Sequence, residues 1–344
     1  MSFFDKIFYE AESFVVNIGS LELTLTREAL PIKGFPIYWY GVLIATGFIL
    51  ALIYGFRNAK KYDIDPNGLI DVILVGAVFS IIGARLYYII NSGRSWTLAE
   101  MIDLRDGGLA FYGALIFAVI FGGITCKLRK INFFSALDLA GPAFLLAQGI
   151  GRWGNFVNQE AFGTNTTLPW GMYSEKTFNY LLTHPESGAD PMLPVHPCFL
   201  YESLWCLLGF ALILFLSKKR VFKGEVFLYY IVWYGFGRFI IEGLRTDSLY
   251  LFNSPIRVSQ AIAILCVIAG LVSIFVFRRK TKLALEEGGE YSSMVIDEEY
   301  NEAEELEEKE TETVIEETEE VDEEIKDENI PEIIEGEDEN GTNN

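Results

Sequence analysis

Histidine and cysteine are scarce in this chain, and basic residues all but vanish from one end of it. Only His184 and His196 occur, which argues against a multi-histidine metal site. The four cysteines, Cys126, Cys198, Cys206 and Cys266, are scattered in or beside apolar runs and form no C-x-x-C pair, so a disulfide scaffold is excluded. The N-terminal arm is acidic and aromatic, with no short basic start and no cleavage site, and is expected not to be a removable signal peptide. Residues 283–344 hold 27 Asp and Glu against only Lys309 and Lys326, a charge of −25. The other 282 residues hold 20 acids and 25 bases, or +5, so the net −20 belongs to a tail and not to the body. The pI near 4.6 therefore describes the tail alone. A tail this acidic, with Tyr291 and Tyr300 as its only aromatic residues, is expected to be solvated and disordered.

What the body has is apolar sequence. Hydrophobic residues make up 51% of the chain and aromatic residues 15%, and mean hydropathy is +0.27 despite the tail, so the body is not expected to be a soluble globule. A bilayer core takes about 20 mostly apolar residues per helical span. Seven runs qualify, at about 37–56, 69–91, 109–126, 136–153, 197–216, 225–244 and 256–277. Basic clusters follow alternate runs: Arg57, Lys60 and Lys61; Lys127, Arg129 and Lys130; Lys218, Lys219, Arg220 and Lys223; and Arg278, Arg279, Lys280 and Lys282. By the positive-inside rule this pattern predicts an outside N-terminus and a cytoplasmic C-terminus. The expected fold is an all-α polytopic membrane protein of seven transmembrane helices, with residues 1–282 as a membrane-embedded catalytic body and 283–344 as the acidic tail.

Smaller features carry weaker expectations. The segment Phe14–Leu25 partly alternates, which fits a short strand or a segment lying on the membrane surface. Gly76, Ser80, Gly83 and Ala84 in the second run, and Gly113, Ala114, Ala118 and Gly122 in the third, suit close helix packing. The connection over 154–195 is too long for a simple turn, and its Asn165-Thr-Thr matches a glycosylation acceptor only weakly.

Ionisable residues within spans are costly, so each raises a functional hypothesis. Arg85, Asp138, Arg152, Glu202, Arg238 and Glu242 all fall there. Tyr234, Arg238, Glu242 and Arg245 recur by four, four and three, forming one polar stripe on a helix. An exposed i,i+4 ion pair contributes only about 0.2–0.5 kcal/mol, too little to explain placing one in lipid. Two guanidiniums, a carboxylate and a phenol suit a cavity that holds a phosphate. The densest signal is G-I-G-R-W-G-N-F-V-N-Q-E-A-F-G at 149–163, where an apolar run ends in Arg152, Asn155, Asn158, Gln159 and Glu160 among glycines. It reads as a re-entrant or unwound element lining a polar cavity. His196-Pro-Cys-Phe-Leu-Tyr-Glu202 opens the fifth run, and His196 there reads more readily as a loop anchor than as a catalyst.

With these motifs assembled, the chain resembles the bacterial prolipoprotein diacylglyceryl transferases. The run G-R-W-G-N-F-V-N-Q-E-x-x-G at 151–163 carries the likeness. G-G-L-A-F-Y-G at 107–113, H-P-x-x-L-Y-E at 196–202 and Y-G-x-x-R-x-x-x-E-x-x-R at 234–245 support it in order. The resemblance spans the body and leaves out the tail. It implies transfer of the diacylglyceryl group of phosphatidylglycerol to the lipobox cysteine of prolipoproteins, forming a thioether and releasing glycerol 1-phosphate, as the first step of lipoprotein maturation. It places the enzyme in the cytoplasmic membrane with the active site toward the outer face. It further implies that Arg152 contacts the headgroup, that Tyr40, Asn155, Gly163 and Arg238 are needed for activity, and that Glu160, Tyr234 and Glu242 support them. Many members carry histidine where this chain has Tyr112.

The chemistry fits the residues. A thiol with pKa about 8.5 is a strong nucleophile once deprotonated. Arg152 and Arg238 would stabilise charge on the leaving phosphate and favour the thiolate, with Glu242 or Tyr112 as proton acceptor. No metal, cofactor or nucleic acid is called for; the partners are the bilayer, the lipid and the prolipoprotein. A transporter is the main rival, since substrate pathways also contain buried charge. No pair of matching interrupted helices is seen in two halves, and the polar groups gather in the outer half of spans. A structural scaffold would not need the 152–163 cluster.

Overall fold

The computed structural model describes residues 9–103, 107–246 and 257–286, with side chains described as far as Leu283. All of these belong to one contact unit, Met1–Val295; the second unit, Ile296–Asn344, and with it the tail expectation beyond 286, lies outside the described residues.

The chain opens with β1 (Ser13–Ile18) and β2 (Leu21–Thr26), antiparallel with Phe14 opposite Leu25 and Val16 opposite Leu23. The alternating arm is thus a hairpin. β3 (Glu28–Leu30) and β4 (Ile37–Tyr38) form a second, two-stranded ladder leading into helix α1 (Trp39–Asn58). Then come α2 (Pro66–Asn91), the short α3 (Leu98–Ile102), α4 (Phe111–Leu128) and α5 (Phe133–Val157). The long connection after α5 is ordered. It holds β5 (Met172–Ser174), which adds to the free edge of β1, and α6 (Glu175–Thr183), started by a capping box between Ser174 and Thr177. Three helices follow: α7 (Cys198–Ser217), α8 (Glu225–Glu242) and α9 (Val258–Glu286).

Six of these helices, α1, α2, α4, α5, α7 and α9, are long and apolar enough to cross a membrane. The protein is a polytopic helical membrane protein. α8 has 18 residues but carries Glu225, Arg238 and Glu242, and stands apart from the six by composition. It is nonetheless packed within the same bundle, against α5, α7 and α9. α5 is the central helix, touching α1, α7 and α8, while α2 pairs with α4.

Local sequence explains the starts and the close approaches. Asp65 caps α2, its carboxylate accepting the Gly68 N–H at 2.9 Å, and Pro66 fills the first helical position. Asn132 caps α5 through the N–H groups of Phe134 and Ser135. Asp138 is fully buried and accepts the N–H groups of Gly224 (2.7 Å) and Phe227 (2.9 Å), so an intramembrane acid becomes the cap of α8. Of the small residues read as packing contacts, Gly83 and Gly113 bring α2 and α4 into backbone contact. A Cβ on Gly83 would stand 2.5 Å from Gly113 O, and one on Gly113 would stand 2.2 Å from Gly83 O. Around Gly76 and Gly122 no neighbour comes within 4 Å of that position, so these two glycines do not share in the approach.

The connection of α7 to α8 is locked by two tryptophans. Trp205 and Trp233 stack with centroids 4.3 Å apart, and each indole N–H donates to the other's backbone carbonyl, at 3.0 and 2.9 Å. Each ring lies over a glycine of the facing helix, Trp233 on Gly209 and Trp205 on Gly237, where a Cβ would come within 2.1 Å of the indole nitrogen. Two buried clusters result. One, around Tyr62, Leu139, Leu145, Ile213 and Tyr230, lies among the helices; the other, Val16, Phe156, Phe162, Met172, Leu181, Val195 and Phe199, joins the sheet to the ends of α5 and α7.

Candidate active site

One expectation is corrected at the 149–163 segment. It is not re-entrant: α5 stays helical through Val157, and irregular backbone begins at Asn158, with Gln159 and Ala161 at φ of 52° and 56°. The helix persists because its glycines admit neighbouring side chains and not a turn. A Cβ on Gly149 would meet Leu207, one on Gly151 would meet Ile44, and one on Gly154 would meet the Tyr40 ring at 2.7 Å. Arg152 and Asn155, three residues apart, therefore share a helix face.

From that face Arg152 reaches across to α7. Its Nε lies 2.8 Å from Glu202 Oε2, while its Nη1 makes a longer 3.4 Å contact with Asn155 Oδ1. Asn155 Nδ2 donates onward to Glu160 Oε1 at 3.0 Å, as does Asn158 Nδ2 at 3.3 Å. From α8, Arg238 Nη1 meets the other Glu202 oxygen, Oε1, at 2.9 Å, and Nη2 meets Glu242 Oε2 at 2.5 Å. The result is one continuous polar chain, Glu160–Asn155–Arg152–Glu202–Arg238–Glu242, drawn from three helices and the turn that follows α5. Tyr234, one turn before Arg238, lies within electrostatic reach of Arg152, Glu202 and Arg238 and stacks on Tyr230 at 5.8 Å. Removing one partner of such a buried pair typically costs about 3–5 kcal/mol, because the other charge is left unpaired.

Gly163 seals the end of this site. Its N–H donates to His196 O at 2.9 Å, and it bridges to Arg245 beyond α8. His196 in turn donates its N–H to Thr164 O at 2.9 Å, and its Nδ1 lies 3.1 Å from Tyr201 Oη. Partial burial draws the imidazole pKa down. The geometry is that of a loop anchor.

Two sequence candidates stand elsewhere. Tyr112 starts α4, half-exposed, with ring contacts to Tyr87 and Phe111 and no hydrogen bond to the Arg–Glu chain. Arg85 is buried and donates to five backbone carbonyls, those of Glu100, Met101, Asp103, Gly107 and Gly108, so it organises the α2–α4 connection. Conversely, the sequence shows Glu202 only as an ionisable residue within a span and does not assign it a role. Its place in H-P-x-x-L-Y-E was the available signal, but spacing along α7 does not reveal which helices face it.

The family model for prolipoprotein diacylglyceryl transferase matches residues 27–276. The phosphatidylglycerol–prolipoprotein diacylglyceryl transferase of Pediococcus pentosaceus is 44% identical over 265 residues, 75% of this chain and 91% of that protein. Those of Bacillus cereus and Bacillus mycoides are each 40% identical over 261 residues, 74% of this chain and 93% of theirs. The matched stretch contains every member of the Arg152–Glu202–Arg238 constellation, and on these findings the chain belongs to the prolipoprotein diacylglyceryl transferase family.

Proposed function

We propose that the Arg152–Glu202–Arg238 cluster is where this enzyme works. As a member of its family, the chain transfers the diacylglyceryl group of phosphatidylglycerol to the cysteine of prolipoproteins. The observation that carries the site assignment is the convergence of two guanidiniums from different helices on one carboxylate 2.8 and 2.9 Å away, with Glu242 on the far side of Arg238. Each arginine side chain is about one-fifth exposed, and a guanidinium carries five N–H donors, more than the bonds named here use.

In the reaction the cysteine sulfur attacks the glycerol carbon, an S–C bond forms and the C–O bond to phosphate breaks. The leaving group is glycerol 1-phosphate, and the thiol proton passes to a base. Arg152 and Arg238 neutralise charge growing on the leaving oxygen, in a site whose fixed donors need no reorganisation. Asn155 and Glu160 hold Arg152 in line, and the Tyr40 ring packs on Gly154 from the α1 side. Glu242, bonded to Arg238, is better placed than Tyr112 to take the proton, since Tyr112 makes no bond to this chain of groups.

Orientation and span count belong to the same reading. α8 is the seventh span, packed among α5, α7 and α9 with Glu225 and Glu242 buried. The C-terminal ends of α5 and α8 and the start of α7 lie with the sheet, while the basic clusters after α1, α4 and α7 stand at the other helix ends. Under the positive-inside rule the cluster then opens to the outer face, with residues 1–282 as the catalytic body.

Purified enzyme in detergent, mixed with phosphatidylglycerol and a lipobox peptide bearing one cysteine, should give a diacylglyceryl mass adduct on the thiol. Arg152→Ala should give none while still folding, with a lowered unfolding temperature, because Glu202 loses one of its two partners. An active Arg152→Ala would remove this cluster as the site.

A further inference from the structure

Glu202 divides itself between two cations in a way that a simple structural ion pair does not. Oε2 serves Arg152 of α5 and Oε1 serves Arg238 of α8, and the Glu202 side chain is 5% exposed against 21% and 20% for those of its partners. It therefore holds both guanidiniums from the buried side. With Glu242 also on Arg238, both guanidiniums are already engaged by carboxylates before any lipid arrives. Guanidiniums whose charge is already balanced by carboxylates offer an incoming phosphodiester little net attraction. Carboxylate and phosphate, however, present similar pairs of oxygens to a guanidinium, so one can replace the other on the same donors.

We propose that Glu202 is a displaceable counter-anion and a positioning residue, which yields guanidinium donors to the lipid phosphate and reclaims them to expel the product. The inference rests on the reading of Arg152 and Arg238 as phosphate ligands. While the site waits, Glu202 holds both guanidiniums at hydrogen-bonding distance across the α5–α7–α8 junction. When phosphatidylglycerol arrives, its single negative charge takes over part of that bonding, and no covalent bond of Glu202 changes. After C–O cleavage the leaving group is a phosphate monoester, with a charge of about −1.5 to −2 at neutral pH. Repulsion between that charge and a buried carboxylate is strong in a low-dielectric site. Glu202 thus weakens first binding and speeds product departure.

Glu202→Gln tests this, since it keeps shape and hydrogen-bonding oxygen and removes the charge. Removing one competing charge-assisted contact should tighten inhibition by glycerol 1-phosphate about tenfold. KM for phosphatidylglycerol should fall, and kcat should fall with it as release slows. A carboxylate that only braces helices would raise KM or lower kcat while leaving product inhibition unchanged or weaker, and that result in a folded variant overturns the proposal. Should Glu202→Gln not fold, Glu202→Asp reads the same quantity. Its shorter carboxylate spans the two guanidiniums poorly, and product inhibition should tighten about threefold, part of the loss of one charge-assisted contact; native or weaker inhibition overturns the proposal. Adduct formation by the native enzyme in the same assay separates the two readings. No adduct would sink the phosphate-ligand reading and this inference together, whereas adduct with unchanged product inhibition would sink the role of Glu202 alone.

Discussion

At Gly163 a methyl group would stand 2.8 Å from His196 Cβ, 2.9 Å from Leu244 O and 3.0 Å from Cys198 Sγ. Two of those three atoms belong to the strand-like links that tie the end of α5 to α7 and α8. Gly163→Ala should therefore move the backbone at the cluster, with a stability loss of about 1–3 kcal/mol and a larger loss of transfer rate, checked by thermal unfolding beside the adduct assay. The two proton-acceptor candidates separate at the same scale. Glu242→Gln should lower the transfer rate by about 100-fold or more, while Tyr112→Phe should leave it near native, as initial rates in the adduct assay will show; the reverse pattern would assign the proton to the phenol. The residue types of this site were legible in the sequence, because charge in an apolar run is conspicuous. The bond between Arg152 and Glu202 was not, since it joins positions 50 apart along the chain.

Among the helices, the Trp205–Trp233 lock does for α7 and α8 what Gly83 and Gly113 do for α2 and α4: it sets one separation and one register. Trp205 lies one turn from Glu202, and Trp233 little more than one turn from Arg238, so the lock and the ion pair share the same junction. Trp205→Ala should lower stability by about 3 kcal/mol through lost ring contact and the loss of the indole N–H bond to Trp233 O. It should also raise KM for phosphatidylglycerol; unfolding and initial rates in detergent measure both. Helix existence was readable from apolar length, and the caps at Asp65 and Asn132 from local residue choice. The continuation of α5 through Arg152 and Asn155 was not, because a glycine-rich run reads as a break until Tyr40, Ile44 and Leu207 are seen to fill the space.

For the molecule as a whole, the sheet and the helix ends are joined through His196, whose pKa burial depresses. The sign follows from linkage: a base harder to protonate when folded contributes its full stability above the ordinary imidazole pKa of about 6.5, and that contribution is lost as pH falls below it. The unfolding temperature should drop between pH 7.5 and 5.5, and His196→Gln should flatten that dependence. The acidic end lies beyond the family match, which closes at residue 276. A chain ending at Glu286 should retain transfer, as the adduct assay with the shortened protein will show.

Composition, span length, the segregation of charge and four ordered motifs were enough to identify a membrane transferase and to single out the residues proposed to bind its lipid headgroup. Those features are local or periodic, and hydrophobicity and spacing report them directly. Only the tertiary structure decided that β5 would complete a sheet with the N-terminal hairpin, that Asp138 would cap a distant helix, and that Arg85 would gather a loop instead of a substrate. It alone decided that Glu202 would stand between two guanidiniums. A buried charge must find a partner, but the chain does not state which of several is nearest; the packing of α5, α7 and α8 does.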